Sequence, residues 1–256
     1  MIYLKTAEEL ELMRAACDLT ARTLGEVAKW IKPGITTRRV DDVAREFILD
    51  NGGVPTCLGY HGFPGTLCIE VNENVVHGFP SDYILRDGDI VGTDLVVDLN
   101  GFNGDSCYTF AVGEIDPKTM RLLQTTLTSL YKGINAAKAG NRIGDISNMV
   151  QTYCEKAGYS VVREMCGHGI GRSMHESPEI PNYGRRGTGA IIKNGMCLCI
   201  EPMITAGSYN VKTLRDGWTV VTTDGSLCSH YEHTILITDG EPELLSLPGY
   251  HKEEKR

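Results

Sequence analysis

The segment 90–112 constrains the fold of this 256-residue chain more than any other, because it encodes two strands joined by a strong turn signal. Residues 90–99 are rich in Val, Ile and Leu, and residues 102–112 resume as a strand after Asn100-Gly101, a dipeptide typical of two-residue hairpin loops. A loop of this kind fixes the register, and the predicted pairs are Leu99 with Phe102, Val96 with Asp105 and Asp94 with Cys107.

This register places Asp94 and Asp105 as diagonal neighbours on one face of the hairpin, roughly 7–8 Å apart at Cα. Aspartate is disfavoured in strands, and two like charges on one face destabilise it unless a cation lies between them. The alternative is that each aspartate is an exposed strand carboxylate. The hairpin alone leaves both interpretations open.

Composition excludes several classes of protein. A net charge of -8 and a pI near 5.4 argue against nucleic acid as the main ligand. The start of the chain is polar by its fifth residue, and no apolar run approaches the ~20 residues of a membrane span, so we expect a cytoplasmic protein without a membrane partner. The basic segment 251–256 is expected to be a solvated end.

Nine cysteines, an odd number without a C-x-x-C pair, argue against a disulfide framework. Most are expected to be buried apolar side chains. Cys197 and Cys199 point the same way in a predicted strand, which is a weak zinc signal without a second pair of thiols.

An internal repeat at an offset of 106 residues superposes a helix, a K-x-G turn at Gly34 and Gly140, a second helix and a glycine stop at Gly52 and Gly158. Strands are predicted after each helix pair, at about 66–71, 75–78, 90–99 and 102–112, and again at about 160–166, 197–204, 219–223 and 231–238. The pattern predicts an α+β fold in which two pseudo-symmetric halves, roughly 1–112 and 113–240, form one curved antiparallel sheet with helices on its outer side. We read residues 1–256 as a single domain with its site between the halves.

The second half supplies three further candidate ligands. His168 lies between two glycines, Glu201 ends the apolar run MCLCI, and Glu232 precedes the apolar run HTILI. A carboxylate in such a run needs a partner, although a salt bridge or a surface loop position would also explain each residue. The segment HESPE at 175–179 is not the helical H-E-x-x-H zinc motif, because Pro178 opposes the helix and Glu179 replaces the second histidine.

These five residues and their flanks resemble the type I methionine aminopeptidase family. The resemblance covers nearly the whole chain through CLGYHGFP, NENVVHG, TD with GDS eleven residues on, CGHGIGR followed by MHE, IEPM, DGWT and YEHT, in the family's order. It implies the pita-bread fold, which fits the repeat, and the short bacterial form of the enzyme.

The resemblance also implies a centre of two divalent ions such as Co, Mn or Fe. Asp105 and Glu232 would bridge the ions, Asp94 would chelate one, and His168 with Glu201 would complete the other. Glu201 would be the general base, with His175 near the scissile carbonyl and His77 near the following peptide. The implied methionine pocket consists of Cys57, Tyr60, Phe63, Cys68, Met174 and Trp218, with His77 and His175 also contacting substrate.

The implied reaction is removal of the N-terminal methionine from nascent chains whose second residue is small. We expect N-terminal Met peptides and nascent chains as partners, with the ribosome as a further candidate partner, and a monomeric protein. A proline-cleaving peptidase of the same fold and a non-catalytic binding module are the alternatives; the methionine-type pocket argues against the first and the five retained ligands argue against the second.

Three positions depart from the family pattern. Gly92 and Val96 stand where the family has polar side chains beside the chelating aspartate, and Met174 stands where it frequently has Phe. The first two departures predict that Asp94 lacks hydrogen-bonding neighbours, that its ion is bound more weakly than the other, and that Gly92→Asn with Val96→Thr tightens it.

Overall fold

The computed structural model describes residues 1–247, and the basic segment 251–256 lies outside them. Four helices occur in this part of the chain: α1 (Ala7–Ala28), α2 (Thr37–Asp50), α3 (Pro117–Ala136) and α4 (Ile143–Lys156). A capping box begins α1, since the Thr6 side chain accepts from the Glu9 amide and the Glu9 side chain accepts from the Thr6 amide. Asp116 caps α3, and Pro117 occupies its first position.

The helix pairs reproduce the repeat found in the sequence. Helices α2 and α4 have the same length and begin 106 residues apart. The turns that precede them contain Gly34 (φ 90°) and Gly140 (φ 93°), and both helices end before a glycine with positive φ. The two halves therefore use the same left-handed backbone at the same places, where only glycine avoids a steric penalty.

Short strands make up the sheet regions. In chain order they are β1 (Val54–Pro55), β2 (Cys68–Val71), β3 (Asn74–Val76), β4 (Ile90–Leu99), β5 (Phe102–Ala111), β6 (Ser160–Val161), β7 (Cys166–Gly169), β8 (Glu176–Pro181), β9 (Cys197–Ile200), β10 (Met203–Thr205), β11 (Val211–Thr213), β12 (Val220–Thr222), β13 (Cys228–His230), β14 (His233–Leu236) and β15 (Glu243–Leu244).

The β4–β5 hairpin has the predicted register, with Leu99 opposite Phe102, Val96 opposite Asp105 and Asp94 opposite Cys107. Asn100 and Gly101 both have positive φ, at 58° and 80°. This is the type I′ turn that an Asn-Gly loop favours.

The strands fall into four hydrogen-bonded sheets rather than one continuous ladder. The predicted strand 160–166 divides into β6 and β7, and the predicted strand 197–204 divides at Glu201-Pro202 into β9 and β10. Proline has no amide hydrogen to donate, so the ladder of β9 stops there. Strand 231–238 is shorter than predicted and is preceded by the separate strand β13.

The two halves meet where β5 faces the segment around β14. The Glu232 amide donates to the Cys107 carbonyl at 2.9 Å, the Ser106 hydroxyl donates to the Glu232 carbonyl at 2.8 Å, and the Thr234 hydroxyl donates to the Asp105 carbonyl at 2.8 Å. We call this contact the seam. It brings Asp105 and Glu232 together from opposite halves.

Successive side chains of the hairpin point alternately to two different environments. Leu95 and Val97 join the apolar core under α1 and α2, whereas Asp94 and Val96 point to the opposite face, away from the helices. Gly104 permits the close approach of α1, because a Cβ there would lie 2.6 Å from the Cys17 amide nitrogen. A corresponding core packs α3 and α4 on β9 and β14.

None of the helices within residues 1–247 combines the length and the apolar character needed to cross a membrane.

Candidate metal centre and substrate cavity

A cavity of about 760 Å³ opens on the face of the sheets opposite the helices. All thirteen residues that the sequence marked as site residues line it: Cys57, Tyr60, Phe63, Cys68, His77, Asp94, Asp105, His168, Met174, His175, Glu201, Trp218 and Glu232. These residues come from nine separate stretches of chain, and the fold brings them together around one cavity.

The polar side of the cavity is formed by Asp94, Asp105, His168, Glu201 and Glu232, and we call it the ion wall. Asp94 and Asp105 form one part of it. Asp105 is buried and Asp94 is partly buried, and both have an Oδ1 atom that is inaccessible to solvent and has no hydrogen-bond partner. Buried carboxylate oxygens without partners are strongly destabilising. The hairpin therefore presents two acceptors that are incomplete in the protein alone.

Glu232, His168 and Glu201 form the other side of the ion wall. Glu232 follows β13, His168 lies in β7, and Glu201 directly follows β9, which pairs with β7. The His168 Nε2 atom lies 3.5 Å from Glu201 Oε1 and 3.7 Å from Asp105 Oδ2, and Glu232 Oε1 is another buried atom without a partner. Ligand atoms of Asp105, His168 and Glu232 lie within 4.8 Å of one another.

The tautomer of His168 is set by its backbone. Its Nδ1 lies 3.0 Å from the Gly169 carbonyl, which can only accept, so Nδ1 carries the hydrogen and Nε2 presents its lone pair to the cavity. Burial lowers the pKa of His168 to about 4. The ring is therefore neutral at pH 7, as a metal ligand must be.

The carboxylates are difficult to ionise without a cation. Burial raises the pKa of Asp94 to about 7. Burial, followed by the charges of neighbouring carboxylates, raises the pKa values of Asp105, Glu201 and Glu232 well above their ordinary range. Four acids in this condition next to a neutral imidazole fit a site for divalent cations, which would neutralise them and supply the missing partners.

Cys199 also lies beside these ligand atoms, with its Sγ within 4.8 Å of Asp105, His168 and Glu232. Burial, reinforced by the charge of Glu232, raises the pKa of this thiol well above its usual value. A protonated thiol is a poor ligand. All nine cysteines are free, as the absence of a paired pattern predicted.

His175 and His77 stand beside the ion wall. The His175 ring meets the His168 ring edge-on at 4.6 Å, and the His77 ring meets the Trp218 ring at 6.1 Å. Burial lowers the pKa values of both histidines, that of His77 to about 4. His77 also has φ of 59°, a left-handed conformation that is uncommon outside glycine and concentrates at functional sites.

The apolar wall faces the ions across the cavity. Cys57, Phe63, Cys68, Val96 and Met174 pack as one cluster, with Phe79 and Trp218 against it. The Phe63 ring meets the Trp218 and Phe79 rings edge-on at 5.2 and 5.3 Å. Phe79 and Val96 were missed as pocket residues. The sequence marked Val96 only as a position where the family has a polar side chain. In the structure the Val96 side chain forms part of this wall.

The prediction that Gly92 leaves Asp94 short of hydrogen-bonding neighbours stays a prediction, because Asp94 Oδ1 has no partner among residues 1–247, but the space beside Gly92 is not empty. The Glu70 side chain fills the space, since a Cβ added to Gly92 would overlap Glu70 Oε2 and lie 3.1 Å from Glu70 Cβ. Glu70 is in turn joined to His230 and Cys107, all three of them buried. The signal was present in the sequence, because Glu70 in the apolar strand CIEV needs a partner for the same reason as Glu201.

Comparison with known proteins gives consistent matches. A sequence model of metallopeptidase family M24 matches residues 11–239. The methionine aminopeptidase of Clostridium perfringens is 51% identical over 247 residues, covering 96% of this chain and 99% of that protein. The crystal structure of methionine aminopeptidase from Rickettsia prowazekii superposes with a TM-score of 0.95 at 43% identity, covering 96% of this chain and 100% of that chain.

Prolidase from Pyrococcus furiosus has a TM-score of 0.78 at 23% identity, covering 95% of this chain and 65% of the prolidase chain. That likeness concerns the fold alone, which is the predicted pita-bread arrangement.

Proposed function

This chain belongs to metallopeptidase family M24, and from that premise we propose that it is a metal-dependent aminopeptidase that removes N-terminal methionine. The observation that carries the proposal is the cavity itself, which sets buried carboxylates without partners opposite a compact wall of aromatic and sulfur side chains. We propose that the whole chain forms one catalytic domain.

We propose that the centre holds two divalent ions of the Co, Mn or Fe type. Asp105 and Glu232, which the seam brings together, are the proposed bridging ligands. Asp94 is assigned to one ion, and His168 with Glu201 to the other. The ions, when bound, neutralise the carboxylates and acidify a water for attack on the first peptide bond.

Glu201 is the proposed general base. It ends β9 beside the proposed ligands and is buried, which gives its carboxylate a high affinity for a proton. It would take a proton from the attacking water and deliver it to the leaving amine.

Two neutral histidines are assigned to the substrate's peptide groups. His175 stands next to His168 and would donate to the scissile carbonyl oxygen as negative charge develops there. His77, farther along the cavity beside Trp218, would contact the following peptide.

The apolar wall is the proposed methionine pocket. Cys57, Cys68 and Met174 offer polarizable sulfur, and Phe63 and Trp218 offer ring faces and edges, both of which suit a thioether. Tyr60, which is exposed and has its ring 6.0 Å from that of His175, would stand at the entrance. The proposed substrates are N-terminal Met peptides and nascent chains with a small second residue.

We propose that the protein acts as a monomer in the cytoplasm on chains emerging from the ribosome. Its charge of -8 supports a role that does not depend on binding nucleic acid.

A substrate panel tests the function. Met-Ala, Pro-Ala and Ala-Ala peptides, each assayed with Co, Mn, Fe and Zn on metal-free protein, should give turnover of Met-Ala alone, and only with metal. An Ala-Pro dipeptide is included because an Xaa-Pro dipeptidase cleaves the bond before proline. Turnover of Ala-Pro in preference to Met-Ala would assign the chain to the prolidase type, and binding of peptides without any turnover would assign it to a non-catalytic module.

A further inference from the structure

His230 is a buried histidine in which one ring nitrogen has a hydrogen-bonding partner and, within residues 1–247, the other has none. Its side chain is 2% exposed, and Nδ1 lies 3.1 and 3.2 Å from the two carboxylate oxygens of Glu70. Nε2 is buried and has no hydrogen-bond partner among residues 1–247. A carboxylate on one imidazole nitrogen and an open lone pair on the other is the arrangement that orients metal-binding histidines.

The free nitrogen faces the ion wall. His230 lines the same cavity as the five proposed ligands, and its Nε2 lies 3.9 Å from Glu201 Oε2. Two ligand atoms that each lie about 2.0–2.2 Å from a common ion are separated by at most about 4.4 Å. The distance to Glu201 is therefore short enough for one ion to contact both residues.

His168 offers an internal comparison. In both rings Nδ1 is engaged by an oxygen and Nε2 points into the cavity within 4 Å of a Glu201 carboxylate oxygen. The two histidines approach Glu201 through its different oxygens, Oε1 for His168 and Oε2 for His230. The centre thus has a nitrogen on each side of the same carboxylate.

We propose that His230, held by Glu70, is a second nitrogen ligand of the metal centre, on the ion assigned to Glu201. This inference rests on the proposed function only in taking the cavity as a two-ion centre. It accounts for Gly92, because any larger residue would displace the Glu70 carboxylate that orients the ring. It also predicts a metal preference shifted toward ions that accept imidazole well, such as Co and Fe, relative to Mn.

Glu70, Cys107 and His230 themselves offer three atoms within 4.8 Å that could hold an ion of their own. That arrangement would use His230 Nδ1 and would leave Nε2 without a partner in the cavity. It differs from the proposal in its metal count and in requiring a sulfur ligand.

The test is proton NMR of the protein loaded with two equivalents of Co²⁺. A histidine that binds through Nε2 keeps its Nδ1 hydrogen close to the paramagnetic ion, where it gives a strongly shifted, solvent-exchangeable resonance. We expect two such resonances, from His168 and His230, and the loss of one in His230→Gln. His233→Gln is the matched control, since His233 is equally buried but its Nδ1 lies against Ser246, outside the cavity.

Calorimetry of metal-free protein with Co²⁺ adds an independent readout. His230→Gln should weaken one of two binding events, and Glu70→Gln should weaken the same event by about 10–100-fold while both shifted resonances remain. A single shifted resonance in the unmodified protein, or two that survive in His230→Gln, would overturn the proposal. So would a third bound ion with a sulfur-to-cobalt absorption band lost in Cys107→Ser. Cleavage of Met-Ala is measured in parallel. If Met-Ala is cleaved but only one shifted resonance is found, the inference about His230 is refuted and the proposed function stands.

Discussion

The ion wall and the apolar wall of the cavity differ in what each lacks without a ligand. On the ion wall, buried oxygens of Asp94, Asp105 and Glu232 have no partner. On the apolar wall, Phe63 packs edge-on against both Phe79 and Trp218, and the sulfur side chains fill the remaining space. The first wall is completed only by cations, whereas the second is packed before substrate arrives.

This difference separates two kinds of contribution. Substitutions on the ion wall should affect catalysis and metal binding while relieving unfavourable burial in the metal-free protein. Substitutions on the apolar wall should affect substrate selection and packing while leaving metal binding unchanged. Variants on each wall test whether the two walls contribute independently to metal binding and to substrate selection.

Glu201→Gln should have the largest effect. It removes the proposed general base and one negative charge of the centre, so kcat on Met-Ala peptides should fall by about 10²–10⁴-fold or more, while the fold is retained. Steady-state kinetics with circular dichroism measures both. Exposed Glu155→Gln is the control. A variant that keeps more than a tenth of the original rate would remove Glu201 from its assigned role.

His175→Ala should reduce kcat by on the order of 10²–10³-fold, because it deletes a donor to the developing oxyanion. Metal stoichiometry, measured by elemental analysis after dialysis, should not change. If metal is lost together with activity, His175 is a ligand and belongs to the ion wall.

Met174→Ala tests the apolar wall in the same way. Removing most of a buried side chain from the pocket should lower kcat/KM for Met-Ala by about 10–200-fold and weaken discrimination against Leu-Ala. Co²⁺ affinity should match that of the unmodified protein. A parallel loss of Co²⁺ affinity would show that the two walls are mechanically coupled.

Gly92→Asn with Val96→Thr should weaken ion binding by about 10-fold, opposite to what the sequence alone predicted. The new side chain at 92 would displace Glu70, and the new hydroxyl at 96 would enter the apolar cluster. Calorimetric titration of the double variant decides the sign. Val96→Thr alone separates the two contributions, since it should leave the ion wall unchanged.

The smallest expected effect is on the pH dependence of the unfolding temperature. In metal-free protein, burial raises the pKa of Asp94 to about 7, above its unfolded value, so its stabilising contribution is present at low pH and is lost as pH rises through about 7. The unfolding temperature should therefore fall between pH 6.5 and 8.0, by about 2–4 °C for each kcal/mol lost. The lowered pKa values of His168, His77 and His175 act in the opposite direction, and most of their effect lies below this window, because unfolded histidine titrates near pH 6.5. The raised pKa values of Asp105, Glu201 and Glu232 add to the fall across the window.

Scanning calorimetry with and without Co²⁺ measures this dependence. Added metal should raise the unfolding temperature more at pH 8.0 than at pH 6.5, and Asp94→Asn should flatten the slope. A metal-free protein that grows more stable across this range would contradict the assignment of buried acids to the ion wall.

Local rules predicted the parts of the site that lie close together in sequence. The Asn-Gly turn and the two-residue period of a strand were sufficient for the register that puts Asp94 and Asp105 on one face. Capping residues mark the starts of α1 and α3 for the same reason, because their bonds span only two or three residues. Resemblance to a family then supplied the remaining ligands.

The contacts that were missed join distant parts of the chain. Glu70 and His230 are 160 residues apart, and no periodicity in either strand reports their meeting. The sequence of β4 likewise does not show that Gly92 makes room for Glu70, which lies opposite it on β2. Each of the predicted strands 160–166 and 197–204 is broken because its two parts belong to different sheets. Tertiary packing determines to which sheet each part belongs.

The seam also limits when this protein can acquire its metal. Its bonds join residues 126 and 129 positions apart, so two of the proposed ligands meet only after a very long loop has closed. Such non-local pairing is slow compared with formation of helices or the hairpin. During its own synthesis the chain cannot complete the centre until Glu232 and Thr234 have left the ribosomal tunnel. Metal acquisition is consequently a late step in its biogenesis, and until then any chelator competes for the ion with a hairpin that offers only Asp94 and Asp105.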